Sequence, residues 1–178
     1  MKIYVTRHGE TDWNVLKKAC GSTDRPLTER GIRQAEELAE RVRGKNIQAI
    51  LSSPLERAYV TAQHAAEALG GLPVTKDARL TEIDYGEFEG IDRSLPEYRR
   101  VRNEPAMRYP GGESMFDVAA RIYPFLDEVR ATYAGKDVLL VCHGALARII
   151  DTYFHSDWKL EDLLQWQFAN CELVEYEV

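Results

Sequence analysis

At 178 residues and a net charge of −6, the chain has length for one domain with a single core and no basic footprint for nucleic acid. It shows no signal-peptide apolar core and no stretch of transmembrane length, and its three cysteines (Cys20, Cys142, Cys171) form no CxxC pair or disulfide framework. The expectation is a soluble protein of a reducing compartment, the cytoplasm, binding neither nucleic acid nor membrane.

Ile3-Tyr4-Val5 is a short apolar run that reads as a buried strand over residues 2–6, so Arg7 and His8 emerge at its C-terminal end ahead of Gly9. In open α/β sheets ligands bind at that edge. A polar loop with Asp12, Trp13 and Asn14 follows. A helix is expected over 28–43, with Ile32, Ala35, Leu38, Ala39 and Val42 on one stripe and Gly44 as the stop. Residues 47–51 read as the second strand. Ser53-Pro54-Leu55-Glu56 then reads as a helix start, with Ser53 as cap, Pro54 in the first turn and Glu56 closing a capping box. The stripe Ala58, Thr61, Ala62, Ala65, Leu69 carries that helix to Gly70-Gly71.

A brief third strand is expected near Val74, and residues 78–112, with weak periodicity, read as site loop plus a small cap. Ser114 opens a long helix that Pro124 should kink or split. Val138-Leu139-Leu140-Val141 is a second buried run, leading into Cys142-His143-Gly144 as the first led into His8-Gly9. An amphipathic helix through Ala145–Tyr153, a short helix at 157–164 and a final, antiparallel edge strand at 171–178 complete the chain. Strands alternating with helices imply a three-layer α/β/α fold with a mainly parallel sheet. We expect one domain over 1–178, with 91–112 as a cap insertion.

Two histidines leaving buried strands into glycines can face each other across one crevice. Arg7 and Arg57 arrive at the same edge, Arg57 in the first turn of a helix, where a cation opposes the helix dipole unless an anion lies in front of it. Two arginines, two histidines and a helix N-terminus make an anion trap, and the planar guanidinium fork suits a tetrahedral oxyanion such as phosphate. Histidine can serve as a covalent nucleophile. Nothing here requires a metal or another cofactor. His64 and His155 read as surface residues.

Thr6-Arg7-His8-Gly9-Glu10-Thr11 with Trp13-Asn14 resembles the opening signature of the histidine phosphatase superfamily, also called the phosphoglycerate mutase-like family. The resemblance continues in order through Asp24–Thr28, Ser52–Ala58, Leu80–Glu82 with Tyr85-Gly86, Pro110–Ser114 and Cys142–Gly144, and so covers nearly the whole chain. It implies that His8 becomes phosphohistidine and that Arg7, Arg57 and His143 bind the phosphoryl group. It further implies phosphate contacts from Asn14 and the Gly144 amide, and a role for Glu82 as proton donor to the leaving group. Val60 departs from the pattern, where many relatives carry glutamine.

The implied partner is a small phosphorylated metabolite; a homodimer is compatible with the sequence. Three readings stay open: a metal-independent phosphomonoesterase, a phosphoglycerate mutase, and a catalytically silent binding module of the same fold. The segment Asp92–Tyr109 is rich in arginine. It reads either as a solvated, salt-bridged cap or as a grip on a second anionic substrate group by Arg99, Arg100 or Arg108, with Tyr85, Tyr98 and Tyr109 at the mouth. Phosphatase is favoured over mutase because Arg99-Arg100 follow soon after Glu82, and Glu82-Ile83-Asp84-Tyr85 lacks the basic residues of the mutase version of that block.

Overall fold

The structure is a computed structural model that describes residues Met1–Val178. Five strands form one sheet: β1 (Lys2–Arg7), β2 (Ile47–Ser52), β3 (Val74–Lys76), β4 (Asp137–Cys142) and β5 (Leu173–Glu177). Their order is β3-β2-β4-β1-β5, and every pairing is parallel except that of β5 with β1. The helices are α1 (Asp12–Val15), α2 (Glu29–Val42), α3 (Glu56–Ala68), α4 (Pro96–Arg102), α5 (Met115–Thr132), α6 (Gly144–Phe154) and α7 (Leu160–Gln165). No helix is long and apolar enough to cross a membrane.

Side chains of a strand alternate between faces, so the two central apolar runs feed two cores. Ile3, Val5, Val138 and Leu140 pack with Val118, Ile122 and Leu126 of α5 and Leu146 and Ile150 of α6. Tyr4, Leu139 and Val141 pack on the opposite face with Ala35, Leu38 and Val42 of α2 and Ala58, Ala62 and Ala65 of α3. Helices on both faces make the expected three layers. The antiparallel edge strand is also present, and Thr28 caps α2 by accepting from the Gly31 amide.

Three local expectations are corrected. Helix α3 starts at Glu56 with no side-chain cap of its own, and Ser53 does not cap it. The Ser53 hydroxyl pairs with His143 and accepts only from the Leu55 amide just before the helix, and the Asp24 carboxylate takes the Glu56 amide from a distant loop. Pro124 neither ends nor splits α5, which runs unbroken for 18 residues. Ala120, whose carbonyl loses its partner, is exposed and can turn to water. Residues 12–15 form a short helix closed by a Thr11/Asn14 capping box, where a loop was expected.

Candidate active site

β1 and β4 are neighbours in register, Arg7 opposite Cys142, and the His8 amide donates to the Cys142 carbonyl at 3.0 Å. Both strands therefore end level, and the rings of His8 and His143 meet edge to face with centroids 5.1 Å apart. The Nδ1 of His8 lies 2.6 Å from the Gly9 carbonyl oxygen. A carbonyl only accepts, so Nδ1 carries the proton and Nε2 holds a lone pair. That Nε2 accepts from the Arg57 Nε–H at 3.3 Å. Burial first, and then the charges of Arg57 and Arg7, hold His8 well below the ordinary histidine value; burial and the same cations with His8 do so for His143. Both rings are neutral at neutral pH.

This has a consequence for stability. Each ring gains its proton more readily in the unfolded chain, so folding is favoured fully above the ordinary histidine value of 6.5 and less as pH falls below it toward the lowered folded values. Urea midpoints should hold steady from pH 8 to 7 and fall between 6.5 and 5.5, with a shallower fall in His8→Gln. A flat midpoint across that window would contradict neutral burial.

Arg57 is fully buried. Its Nη1 donates to the Thr23 carbonyl at 2.9 Å and faces Asp24 at 3.2 Å, and its Nη2 donates to the Gly21 carbonyl at 2.6 Å. The anion in front of α3 is therefore Asp24, which offsets the cation at the helix start. Arg7 donates from Nη1 to the Phe168 carbonyl at 2.8 Å. Its Nε and the Nδ1 of His143 are the only buried side-chain polar atoms in the chain without a hydrogen-bond partner. Two orphans of this kind on adjoining strand ends suit a site built for an anion. Gly144 leaves room for Arg7: a Cβ there would sit 3.3 Å from its Nε. Gly9 and Gly31 let the site loop touch the start of α2, where a Cβ on Gly9 would meet the Gly31 carbonyl oxygen at 2.3 Å.

The buried Glu82 carboxyl accepts from the Ala145 and Leu146 amides at 2.9 Å each, at the start of α6. Arg121 of α5 braces that loop, donating to the Thr81 and Glu82 carbonyls at 2.9 and 3.2 Å. Asn14 has two places in the structure. It closes the α1 capping box, and it lines the cleft, where its side-chain oxygen accepts from Asn170 at 3.3 Å.

Arg7, His8, Asn14, Glu82 and Gly144 open into one cleft of about 710 Å³, while Arg57 and His143 lie buried in its floor. Tyr85 and Tyr98 line it, and Tyr109 packs behind, its ring 4.8 Å from that of Tyr85. Of the cap arginines, Arg99 reaches the cleft. Arg100 is exposed outside it, and Arg108 is tied to Asp117 at 2.8 Å, so neither is placed as the sequence allowed. In their stead Arg102, Arg148 and the wall Trp166-Gln167-Phe168 line the cleft. Arg102 was findable, four residues after Tyr98 on the same helix face. Arg148 lies one turn after Gly144 by the same arithmetic.

The sequence model of the histidine phosphatase superfamily (branch 1) matches residues 3–178. The chain belongs to the histidine phosphatase superfamily. It is 37% identical over 185 residues to a "probable phosphoglycerate mutase GpmB" of Yersinia pestis, covering 99% of this chain and 86% of that protein. It is also similar to a mycobacterial glucosyl-3-phosphoglycerate phosphatase solved with VO3, at 32% identity and a TM-score of 0.87, covering 98% of this chain and 91% of that one. A phosphoserine phosphatase of Entamoeba histolytica, solved with 3-phosphoglyceric acid, matches at 29% identity and a TM-score of 0.85, covering 98% and 89%.

Proposed function

We propose that the chain is a phosphomonoesterase that hydrolyses a small phosphorylated metabolite through phosphohistidine at His8. The observation that carries this reading is the His8 ring: neutral, proton on Nδ1, lone pair on Nε2 beside Arg57 at 3.3 Å. That lone pair forms the N–P bond as the bond from phosphorus to the leaving oxygen breaks. Arg7, Arg57, His143, Asn14 and the Gly144 amide hold the phosphoryl oxygens, where fixed positive charge stabilises the transfer. Glu82 is the group placed to give a proton to the leaving alkoxide. It then takes one from the water that attacks phosphorus, and the N–P electrons return to Nε2. The three free cysteines suit the cytoplasm.

Relatives carry both mutase and phosphatase names, and the open cleft that His8 lines supports hydrolysis. The one helix of the cap, α4, is only seven residues long and leaves a broad mouth. With 3-phosphoglycerate and catalytic 2,3-bisphosphoglycerate, phosphate should be released faster than 2-phosphoglycerate forms. Isomerisation ahead by tenfold or more would make the chain a mutase. Glu82→Gln should cost on the order of 10²–10⁴-fold in turnover of alkyl phosphates and far less in the phosphorylation step with a nitrophenyl ester, whose leaving group needs no proton. Equal single-turnover losses on both would remove Glu82 from that role.

A further inference from the structure

Glu89 is half-buried and does not line the cleft, and its carboxylate is nevertheless fully engaged. Its Oε2 accepts from the Gly21 amide at 3.1 Å and the Thr23 amide at 3.3 Å. Its Oε1 accepts from the Ser22 amide at 3.0 Å and the Tyr85 amide at 3.2 Å. All four partners are backbone donors, and the charge is answered by amide dipoles rather than by a cation.

The residues that Glu89 holds are those that hold Arg57. The Gly21 and Thr23 carbonyls accept from Arg57 Nη2 and Nη1 at 2.6 and 2.9 Å. In the peptide joining Gly21 to Ser22, the C=O meets Arg57 and the N–H meets Glu89. A trans peptide points these groups in opposite directions, so one plane is gripped by a cation at one end and an anion at the other. Each contact polarises the plane in favour of the other. With both Nη atoms fixed in this way, the Nε–H of Arg57 faces Nε2 of His8 at 3.3 Å. Asp24 meets the guanidinium only at Nη1, at 3.2 Å, and a contact at one nitrogen does not fix a plane. The Tyr85 amide adds a second tie, since Tyr85 lies three residues after Glu82.

We propose that Glu89 is a positioning residue for phosphoryl transfer: through the Gly21–Thr23 loop it aims Arg57 at Nε2 of His8 and at the phosphoryl group. It acts from outside the cleft and touches neither the substrate nor the histidine. This deepens the phosphomonoesterase reading and rests on it.

A nitrophenyl ester reads Arg57 apart from Glu82, because its leaving group needs no proton. Glu89→Gln keeps the shape and one accepting oxygen, but sets an NH2 group against two of the four amides. It should lower kcat/KM for p-nitrophenyl phosphate by about twentyfold or more in the wild type, and by less than about threefold in Arg57→Lys, where the fork is gone. If Glu89 only braces the fold, the same loss will appear in both backgrounds, and the proposal is overturned. A Glu89→Gln enzyme within about threefold of wild type overturns it too. Ser22→Ala removes the hydroxyl contact to Asp84 at 3.2 Å from the same loop and leaves the amides in place. It should keep its turnover, and a loss equal to that of Glu89→Gln would assign the effect to loop order instead. Should Glu89→Gln fail to fold, Glu89→Asp, which draws the charge back by one methylene, takes its place with a smaller loss and the same dependence on Arg57. Should the wild type hydrolyse no ester, the phosphatase reading falls, and proton exchange at the Arg57 Nε–H still decides the positioning. Followed by NMR and assigned with Arg57→Lys, that exchange should quicken about tenfold or more in Glu89→Gln and stay as it is in Ser22→Ala. An Arg57 signal unmoved by Glu89→Gln would refute it.

Discussion

His8→Ala is expected to lower turnover on the order of 10⁴–10⁶-fold, the range seen when a covalent nucleophile is deleted from a site whose other members remain. The ring lies buried between strand ends, and its loss leaves Arg57 and Arg7 still able to bind phosphate. Substrate affinity should therefore change much less than turnover. Incubation with a labelled phosphoryl donor should give acid-labile, base-stable label on the wild type and none on the variant. Label that persists in His8→Ala, or turnover within tenfold of wild type, would move the nucleophile elsewhere.

Arg57→Met should be the most damaging single change to the fold within the site. The guanidinium is fully buried and satisfies the carbonyls of Gly21 and Thr23 while facing Asp24, so methionine would fill the volume but strand both carbonyls. Leaving an acceptor without its donor costs about 1–3 kcal/mol, so the two carbonyls together put the fall in Tm at roughly 4–20 °C for a chain of this size. The loop carrying Gly21 and Thr23 should become readily cleaved by protease, and activity should be lost with it. A Tm within 2 °C of wild type would show that the carbonyls find other donors. Lysine, with charge but no fork, should recover only part of the loss.

The two histidines were legible in the sequence because each follows an apolar run that only a buried strand explains, and parallel pairing of those runs does the rest. The cap of α3 was not. Ser53 satisfies every local rule for a helix cap, but its hydroxyl is 2.8 Å from a histidine 90 positions away, and the capping carboxylate comes from Asp24. Local pattern carries no information about such partners. The anchors of Arg57 were hidden for another reason: they are backbone carbonyls of an irregular loop, and backbone leaves no mark on residue identity. Pro124 does not split α5, because one missing bond within 18 residues leaves the turns on either side paired. Arg99-Arg100 drew notice as a doublet, yet a seven-residue helix points adjacent residues about 100° apart. Tyr98 and Val101 are the buried residues of α4, and they set its phase and turn Arg102 inward.

The placement of His8 and His143 on adjoining parallel strands has a consequence for how such a site can change over time. Neighbouring strands sit about 4.8 Å apart because of backbone hydrogen bonding, whatever the side chains. The two strand ends from which the rings, 5.1 Å apart, project are therefore spaced by the sheet rather than by the loops that crown the cleft. Drift in the segments that crown the cleft can reshape what enters it, while the spacing of the two rings is held by the same ladder that makes the protein fold. A lineage built this way can trade one substrate for another by altering its rim, while the two positions at its centre stay neighbours as long as the sheet stands.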